Sequence, residues 1–137
     1  MNTPITVTTL IHAPLTKVWD MWTKPEHITR WAFASDDWEA PSALNDLRVG
    51  GRFNTVMAAK DKSAQFDFSG VYSLVEHGRI EYTMDDGRKV TITFIENIDG
   101  VQLTETFDPE SENPVDMQRA GWQAILENFK KYVESAQ

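Results

Sequence analysis

The sequence predicts an α+β fold in which a curved antiparallel β-sheet wraps around a long C-terminal helix, with two short helices after the first strand. The observations behind it are a β-branched segment near the start, alternating apolar runs over residues 42–108, and an amphipathic segment over residues 114–135. Short turns between strands indicate antiparallel neighbours rather than β–α–β units. An amphipathic helix must cover another layer of structure. A length of 137 residues suits one core, so we expect a single domain over residues 1–137.

The first third of the chain predicts one strand and two short helices. Residues 5–11 are rich in β-branched side chains, which is typical of a strand. Pro14 is expected at the first helical position, where its missing N–H is not needed. An apolar stripe at helical spacing follows it: Leu15, Val18, Trp19 and Trp22. A second short helix is expected from Pro25 to about Arg30, and residues 32–41 are expected to form a loop.

The middle of the chain predicts six further strands. They are expected at about residues 44–49, 52–59, 65–76, 80–84, 90–94 and 101–107. Gly50 and Gly51 favour a tight turn, because glycine adopts positive φ without steric cost. The Asp-Gly pair at residues 86–87 is a strong hairpin signal. Gly70, inside the longest strand, indicates a bend or a bulge.

The end of the chain predicts a long helix. Asn113 is expected as its N-cap and Pro114 as its first residue, and the pattern continues to about Ser135. One face is apolar: Trp122, Ile125, Leu126, Phe129, Tyr132 and Val133. Gly121 costs about 1 kcal/mol relative to alanine within a helix. We expect that it either permits a close approach to the sheet or leaves a gap beside Trp122.

The composition argues against several classes of partner. Thirteen basic and 21 acidic residues give a net charge of −8, which disfavours nucleic acid and anionic membrane surfaces. The absence of cysteine excludes disulfides, thiolate nucleophiles and cysteine metal sites. The N-terminus shows no signal-peptide pattern, and no apolar run approaches the roughly 20 residues of a membrane span. We therefore expect a cytoplasmic protein.

Motifs of metal, nucleotide and nucleophilic chemistry are missing from the sequence. His12, His27 and His77 are widely separated and form none of the spacings of metal-binding histidines. Asp36 and Asp37 are adjacent acids in a predicted loop. Such a pair could bind a cation, but it is more often simply exposed to solvent. No glycine-rich phosphate loop or nucleophile elbow occurs. We expect no cofactor, no metal and no catalytic residue supported by a motif.

Several local motifs together resemble a known family. They are Ala13-Pro14 with Val18-Trp19, Pro25-Glu26-His27 with Trp31, Asp46-Leu47-Arg48-Val49-Gly50-Gly51-Arg52-Phe53, Phe68-Ser69-Gly70-Val71-Tyr72, and Gly121-Trp122. In this order the chain resembles the C-terminal domain of activators of the heat-shock protein 90 ATPase. That domain has the helix-grip fold of the START and birch-pollen-allergen superfamily, also called SRPBCC. The resemblance covers essentially residues 5–134, and the stretch from Asp46 to Phe53 is its most specific part.

The resemblance implies a fold more firmly than an activity. The eukaryotic co-chaperones carry an additional N-terminal domain that binds the chaperone, and we expect this chain to be the stand-alone form common in bacteria. Relatives in the wider superfamily bind lipids, hormones and polyketides in a cavity between sheet and helix. The resemblance therefore implies a cavity for a hydrophobic small molecule here.

Candidate ligand-binding residues are the aromatics expected near such a cavity together with a few neighbours. They are Trp31, Phe33, Trp38, Phe53, Phe68, Tyr72, Tyr82, Phe94, Glu105, Met117, Gly121 and Trp122. The alternative for each aromatic is that it only fills the core. Glu105 shares a strand face with Val101, Leu103 and Phe107, so it points into the cavity if that face is concave; a bulge or an edge would place it in water instead. The tyrosines Tyr72 and Tyr82 could offer hydroxyls to a ligand or to Glu105.

Three functions remain open from the sequence. The first is a carrier or sensor that binds an apolar or amphipathic small molecule. The second is a chaperone-associated interaction domain that stimulates a heat-shock ATPase, and the third is an enzyme that uses Glu105 in the cavity. Arg48 and Arg52 could hold an anionic group at the cavity mouth or form ordinary surface ion pairs. Exposed strand edges leave a homodimer open.

Overall fold

The computed structural model describes residues 3–136, which form seven strands and three helices. The strands are β1 Ile5–Ile11, β2 Trp38–Asn45, β3 Arg52–Ala59, β4 Gln65–Glu76, β5 Arg79–Met84, β6 Lys89–Asn97 and β7 Gly100–Phe107. The helices are α1 Leu15–Thr23, α2 Pro25–Ile28 and α3 Val115–Ser135. No helix among these residues is long and apolar enough to span a membrane.

The strands form one antiparallel sheet in the order β1-β7-β6-β5-β4-β3-β2. Every neighbouring pair is antiparallel, as the short turns predicted. The sheet curls around α3, and α1 and α2 connect β1 to β2 across the same side. The predicted α+β fold with a curved sheet around a C-terminal helix is therefore confirmed.

The core lies between the concave face of the sheet and α3. Along β7, buried and half-buried residues alternate strictly, because successive side chains of a strand point to opposite faces. From α3, Leu126, Phe129 and Val133 are completely buried against the sheet. Their spacing of three and four residues places them on one helix face. Burial of these side chains fixes the helix across the sheet.

The second strand differs from the prediction. A strand was expected over residues 44–49, but β2 begins at Trp38 and ends at Asn45. A register shift between Glu39 and Ser42 interrupts the alternation that would have revealed it. Residues 46–51 instead form a turn in which Gly50 has a φ of +82°. A Cβ at Gly51 would lie 2.1 Å from the carbonyl oxygen of Asp46, so this tight turn admits only glycine there.

Two of the proline-initiated helices begin one residue later than predicted. Pro14 and Pro114 are N-cap residues with extended ψ angles of 154° and 146°, and the helices start at Leu15 and Val115. Asn113 therefore precedes the N-cap of α3, and its carbonyl accepts a hydrogen bond from Gln118 Nε2 at 2.7 Å. The free amide of Leu15 donates to Glu96 Oε2 at 3.0 Å, so a carboxylate from β6 caps α1.

Candidate functional site

A cavity of about 540 Å³ lies between the concave face of the sheet and α3. Strands β3 to β7 form one wall, and α1, α2 and α3 contribute the other. The apolar lining residues outside the predicted set are mainly Trp22, Ile28, Met57, Ile80, Ile92 and Ile125. The cavity opens beside the turn between β5 and β6, where polar side chains replace apolar ones.

Seven of the twelve predicted site residues line this cavity. They are Trp31, Phe53, Phe68, Tyr72, Tyr82, Glu105 and Trp122. Trp122 stacks on Phe107 with ring centroids 3.8 Å apart and an interplanar angle of 9°. Phe53 meets Tyr82 edge to face with centroids 4.7 Å apart. These contacts hold the aromatic walls in fixed orientations around the open space.

Five predicted site residues lie outside the cavity lining, each for a local reason. Phe94 is on the concave face, but Trp19 and Trp22 of α1 cover it with ring centroids 5.3 and 5.9 Å away. Trp38 contacts Phe66 at the open edge of the sheet. The other three are Phe33, Met117 and Gly121. The backbone carbonyl of Phe33 accepts a hydrogen bond from a side chain of α3, and Met117 is 63% exposed.

Gly121 marks open space rather than a close approach. A Cβ built at this residue would meet no heavy atom within 4 Å outside its own helix. Of the two alternatives weighed from the sequence, close contact with the sheet is therefore wrong. Close approach occurs instead at Gly70 in β4, where a Cβ would lie 2.5 Å from the carbonyl oxygen of Thr83. The bulge predicted near Gly70 lies just beyond it, between Tyr72 and Leu74.

Glu105 is the only carboxylate of β7 that faces inward. It is 5% exposed and pairs with Ile92 on one side and Val7 on the other. No bulge or sheet edge turns it outward, so it points where Leu103 and Phe107 point. Burial raises the pKa of Glu105 from 4.5 to about 8, because the charged form loses its hydration inside an apolar cavity.

Two tyrosine hydroxyls share the cavity with Glu105. The Tyr72 hydroxyl donates to Asn45 Oδ1 at 2.5 Å, and Asn45 Nδ2 donates in turn to the carbonyl of Thr23 at 2.6 Å. Burial raises the pKa of Tyr72 above its ordinary value. The pKa of Tyr82 is raised well above the ordinary value by burial and, secondarily, by the nearby Glu105. Both tyrosines are therefore neutral phenols at physiological pH.

Ion pairs surround the cavity mouth. Arg52 Nη2 donates to Asp85 Oδ2 at 2.6 Å, and Ser69 Oγ donates to the same oxygen at 2.5 Å. The Ser69 hydroxyl and then the Arg52 guanidinium lower the pKa of Asp85. Arg88 pairs with Asp86 at 2.8 Å. Both arginines at the mouth are thus already neutralised by carboxylates.

Other charged groups weighed from the sequence lie away from the cavity. Arg48 pairs with Asp46 at 2.9 Å within the turn after β2 and does not line the cavity. His77 packs against Trp19, with ring centroids 5.0 Å apart. His27 Nδ1 and the Tyr132 hydroxyl are hydrogen-bonded at 2.6 Å. Within residues 3–136, no group of three or more histidine, aspartate and glutamate side chains is arranged to hold a metal ion.

Comparisons with protein families and solved structures identify relatives of this chain. A family model described as Activator of Hsp90 ATPase homolog 1-like protein matches residues 12–134. The AHSA1-like protein from Aeromonas hydrophila is 45% identical, with a TM-score of 0.91 over 97% of this chain and 93% of that chain. A protein from Cytophaga hutchinsonii is 49% identical, with a TM-score of 0.80 over 97% and 92%. One from Chromobacterium violaceum is 24% identical and shows the same fold, with a TM-score of 0.86 over 98% and 99%. No curated protein matches the chain.

Proposed function

The chain belongs to the family of Activator of Hsp90 ATPase homolog 1-like proteins, and we propose that it binds an apolar or amphipathic small molecule between its sheet and α3. The observation that carries this proposal is the cavity of about 540 Å³ with aromatic walls. Ligand pockets commonly measure about 300–1,000 Å³ and are mainly apolar with a few polar groups. The carrier or sensor role predicted from the sequence requires such a space.

The distribution of polar groups supports an amphipathic occupant. Apolar side chains such as Trp122, Phe68 and Ile125 line the body of the cavity, whereas Arg52 and Asp85 stand at its mouth. Water inside apolar walls makes few hydrogen bonds, so its displacement by an apolar group is favourable. The polar groups inside the cavity, Glu105 and Tyr82, and those at its mouth, Arg52 and Asp85, would orient a bound molecule. The binding energy would come mainly from apolar surface.

An uncharged fluorescent probe, N-phenyl-1-naphthylamine, tests the proposal directly. Thr55 lines the cavity and is 5% exposed, so Thr55→Phe places a ring into the open space. Thr93 alternates with buried Ile92 and Phe94 and faces away from the core, so Thr93→Phe is the matched control. We expect saturable probe binding to the natural chain and to Thr93→Phe, and weakened binding to Thr55→Phe. Equal binding by both variants would contradict the proposal.

A chaperone-associated function is the second candidate, and the family match favours it. The fold presents exposed apolar side chains outside the cavity, including Leu44 at 71% and Val49 at 64% exposure. Such side chains on neighbouring surface can form a protein contact. The test is the ATPase rate of purified Hsp90 with and without the chain. Stimulation that Leu44→Ser abolishes would support this candidate, and an unchanged rate at saturating concentration would remove it.

A further inference from the structure

Two buried polar groups in the cavity have no hydrogen-bond partner among the residues that the structure describes. Within residues 3–136, neither the Glu105 carboxyl nor the Tyr82 hydroxyl makes a hydrogen bond to another side chain or to the backbone, and both residues line the cavity. Among these residues, Asn54 Oδ1 is the one side-chain polar atom that is wholly enclosed and unpartnered. The oxygens of Glu105 and Tyr82 differ from it because they border open space that a ligand can enter.

The sheet register brings these two groups to the same part of the concave face. Tyr82 of β5 pairs with Val90 of β6, and Glu105 of β7 pairs with Ile92 of β6. The two residues therefore lie on either side of β6, and their partners in β6 are two residues apart. Strands β5 and β7 lie about 10 Å apart at their backbones. Both side chains line the same cavity, and Glu105 lies near enough to Tyr82 to contribute to the raised pKa of its hydroxyl. Both polar groups therefore face one continuous open space.

Desolvation then restricts which molecules can fill the inner cavity. A pure hydrocarbon would remove water from Glu105 and Tyr82 and offer nothing in its place, which is costly for buried polar groups. A ligand amine would need an ionised Glu105 and a buried ion pair, with the Arg88 guanidinium on the same cavity wall. A ligand carboxylate would have to bury its own charge, and the arginines that line the cavity, Arg52 and Arg88, are already paired with Asp85 and Asp86. A neutral oxygen acceptor satisfies both donors without burying a charge.

We propose that the inner end of the cavity binds the carbonyl or ether oxygen of a neutral, ring-containing molecule, with Glu105 and Tyr82 as its two hydrogen-bond donors. This inference rests on the proposed binding function and names the chemical class of its ligand. The raised pKa of Glu105, about 8, keeps its carboxyl protonated and able to donate at neutral pH. The neutral Tyr82 phenol is the second donor.

A probe series with one ring system and four end groups tests the inference. The probes are 2-acetylnaphthalene, 2-ethylnaphthalene, 2-naphthylmethylamine and 2-naphthoate, with dissociation constants measured by ligand-observed NMR. We expect the acetyl probe to bind roughly tenfold more tightly than the ethyl probe, the effect of about one net hydrogen bond. Tighter binding of the amine or the carboxylate, or equal binding of the acetyl and ethyl probes, would overturn the inference.

Variants assign the preference to the two donors. Glu105→Gln retains an N–H donor of the same shape and should keep most of the acetyl preference, whereas Glu105→Leu and Tyr82→Phe should each lower it several-fold. Thermal unfolding monitored by circular dichroism establishes that each variant is folded. An acetyl preference that survives in Glu105→Leu and in Tyr82→Phe would overturn the assignment of these residues.

The pH dependence gives a second readout. The elements beside Glu105 present Val7, Ile92, Trp122 and Ile125, which do not titrate. The charged and titratable side chains across the cavity and at its mouth are Arg52, Asp67, Tyr72, Tyr82, Asp85, Asp86 and Arg88. We expect acetyl-probe affinity to fall several-fold from pH 7 to pH 9 in the natural chain, as Glu105 loses its proton, and to stay constant in Glu105→Gln. A fall of the same size in Glu105→Gln would contradict the role of Glu105.

The ethyl probe separates this inference from the proposed function. Saturable binding of 2-ethylnaphthalene with no preference for the acetyl probe would leave the apolar cavity as a binding site and overturn only the role of Glu105 and Tyr82. The absence of saturable binding for all four probes would overturn both.

Discussion

The buried Glu105 should make the stability of the protein depend on pH in a predictable direction. Its folded-state pKa is raised from 4.5 to about 8 by burial. Between these values the native chain retains a proton that the unfolded chain has released, so stability is greatest below about pH 4.5 for this group and declines as the pH rises toward 8. One pKa unit corresponds to about 1.4 kcal/mol.

The size of the effect follows from the same two pKa values. From pH 5 to pH 7, Glu105 alone should lower the free energy of unfolding by about 2.5 kcal/mol. Glu105→Gln removes the titration and keeps the shape of the side chain. The difference in stability between the natural chain and Glu105→Gln therefore isolates this one group from every other carboxylate.

Urea unfolding followed by tryptophan fluorescence measures that difference at pH 5, 6, 7 and 8. We expect the natural chain to lose stability relative to Glu105→Gln by about 2.5 kcal/mol from pH 5 to pH 7, with unchanged m-values. A difference that stays flat across this range would show that Glu105 titrates as an exposed carboxyl. That result would refute the conclusion that the apolar cavity disfavours the ionised form of Glu105.

Five further substitutions test the packing of the fold. Leu126→Ala removes a completely buried side chain and should cost roughly 3 kcal/mol of stability, whereas Met117→Ala, at a 63% exposed position of the same helix, should change it by less than about 0.5. Gly121→Ala should raise the midpoint of thermal unfolding, with a gain of up to about 1 kcal/mol in stability, because the added Cβ meets open space. Gly100→Ala should lower the midpoint, because the added Cβ would lie 2.1 Å from the carbonyl oxygen of Ile11. Tyr72→Phe should cost about 1 kcal/mol, because it leaves Asn45 Oδ1 without its donor; a neutral result in urea unfolding would show that water replaces the hydroxyl.

The fold was predictable because hydrophobic alternation marked most of its strands. Residues 5–11, 52–59 and 65–76 were predicted with the bounds that β1, β3 and β4 have. The prediction failed at β2, where the register shift after Glu39 disturbs the alternation and Pro41 weakens the strand pattern. Leu47 and Val49 mimicked a strand there, although the chain turns at Gly50.

The candidate site was predictable only in part because strand parity gives the face of a side chain and not its position along the sheet. Alternation put Glu105 on one face with Val101, Leu103 and Phe107 but left open whether that face is the concave one, and the structure shows that it is. Phe94 has the same parity, but α1 covers that end of the face with Trp19 and Trp22. Conversely, Ile80 and Ile92 line the cavity on the same face of the sheet as Tyr82. The prediction missed them because it considered mainly aromatic residues.

The isoleucine methyl groups offer the most direct measurement of the central proposal, that this cavity binds an apolar molecule. Of the eight isoleucines, four line the cavity: Ile28, Ile80, Ile92 and Ile125. The other four do not: Ile5, Ile11, Ile95 and Ile98. In a methyl-labelled NMR titration with 2-acetylnaphthalene, we expect saturable shifts concentrated in the first four. Shifts that are absent, do not saturate, or concentrate in exposed Ile95 and Ile98 would contradict the proposal.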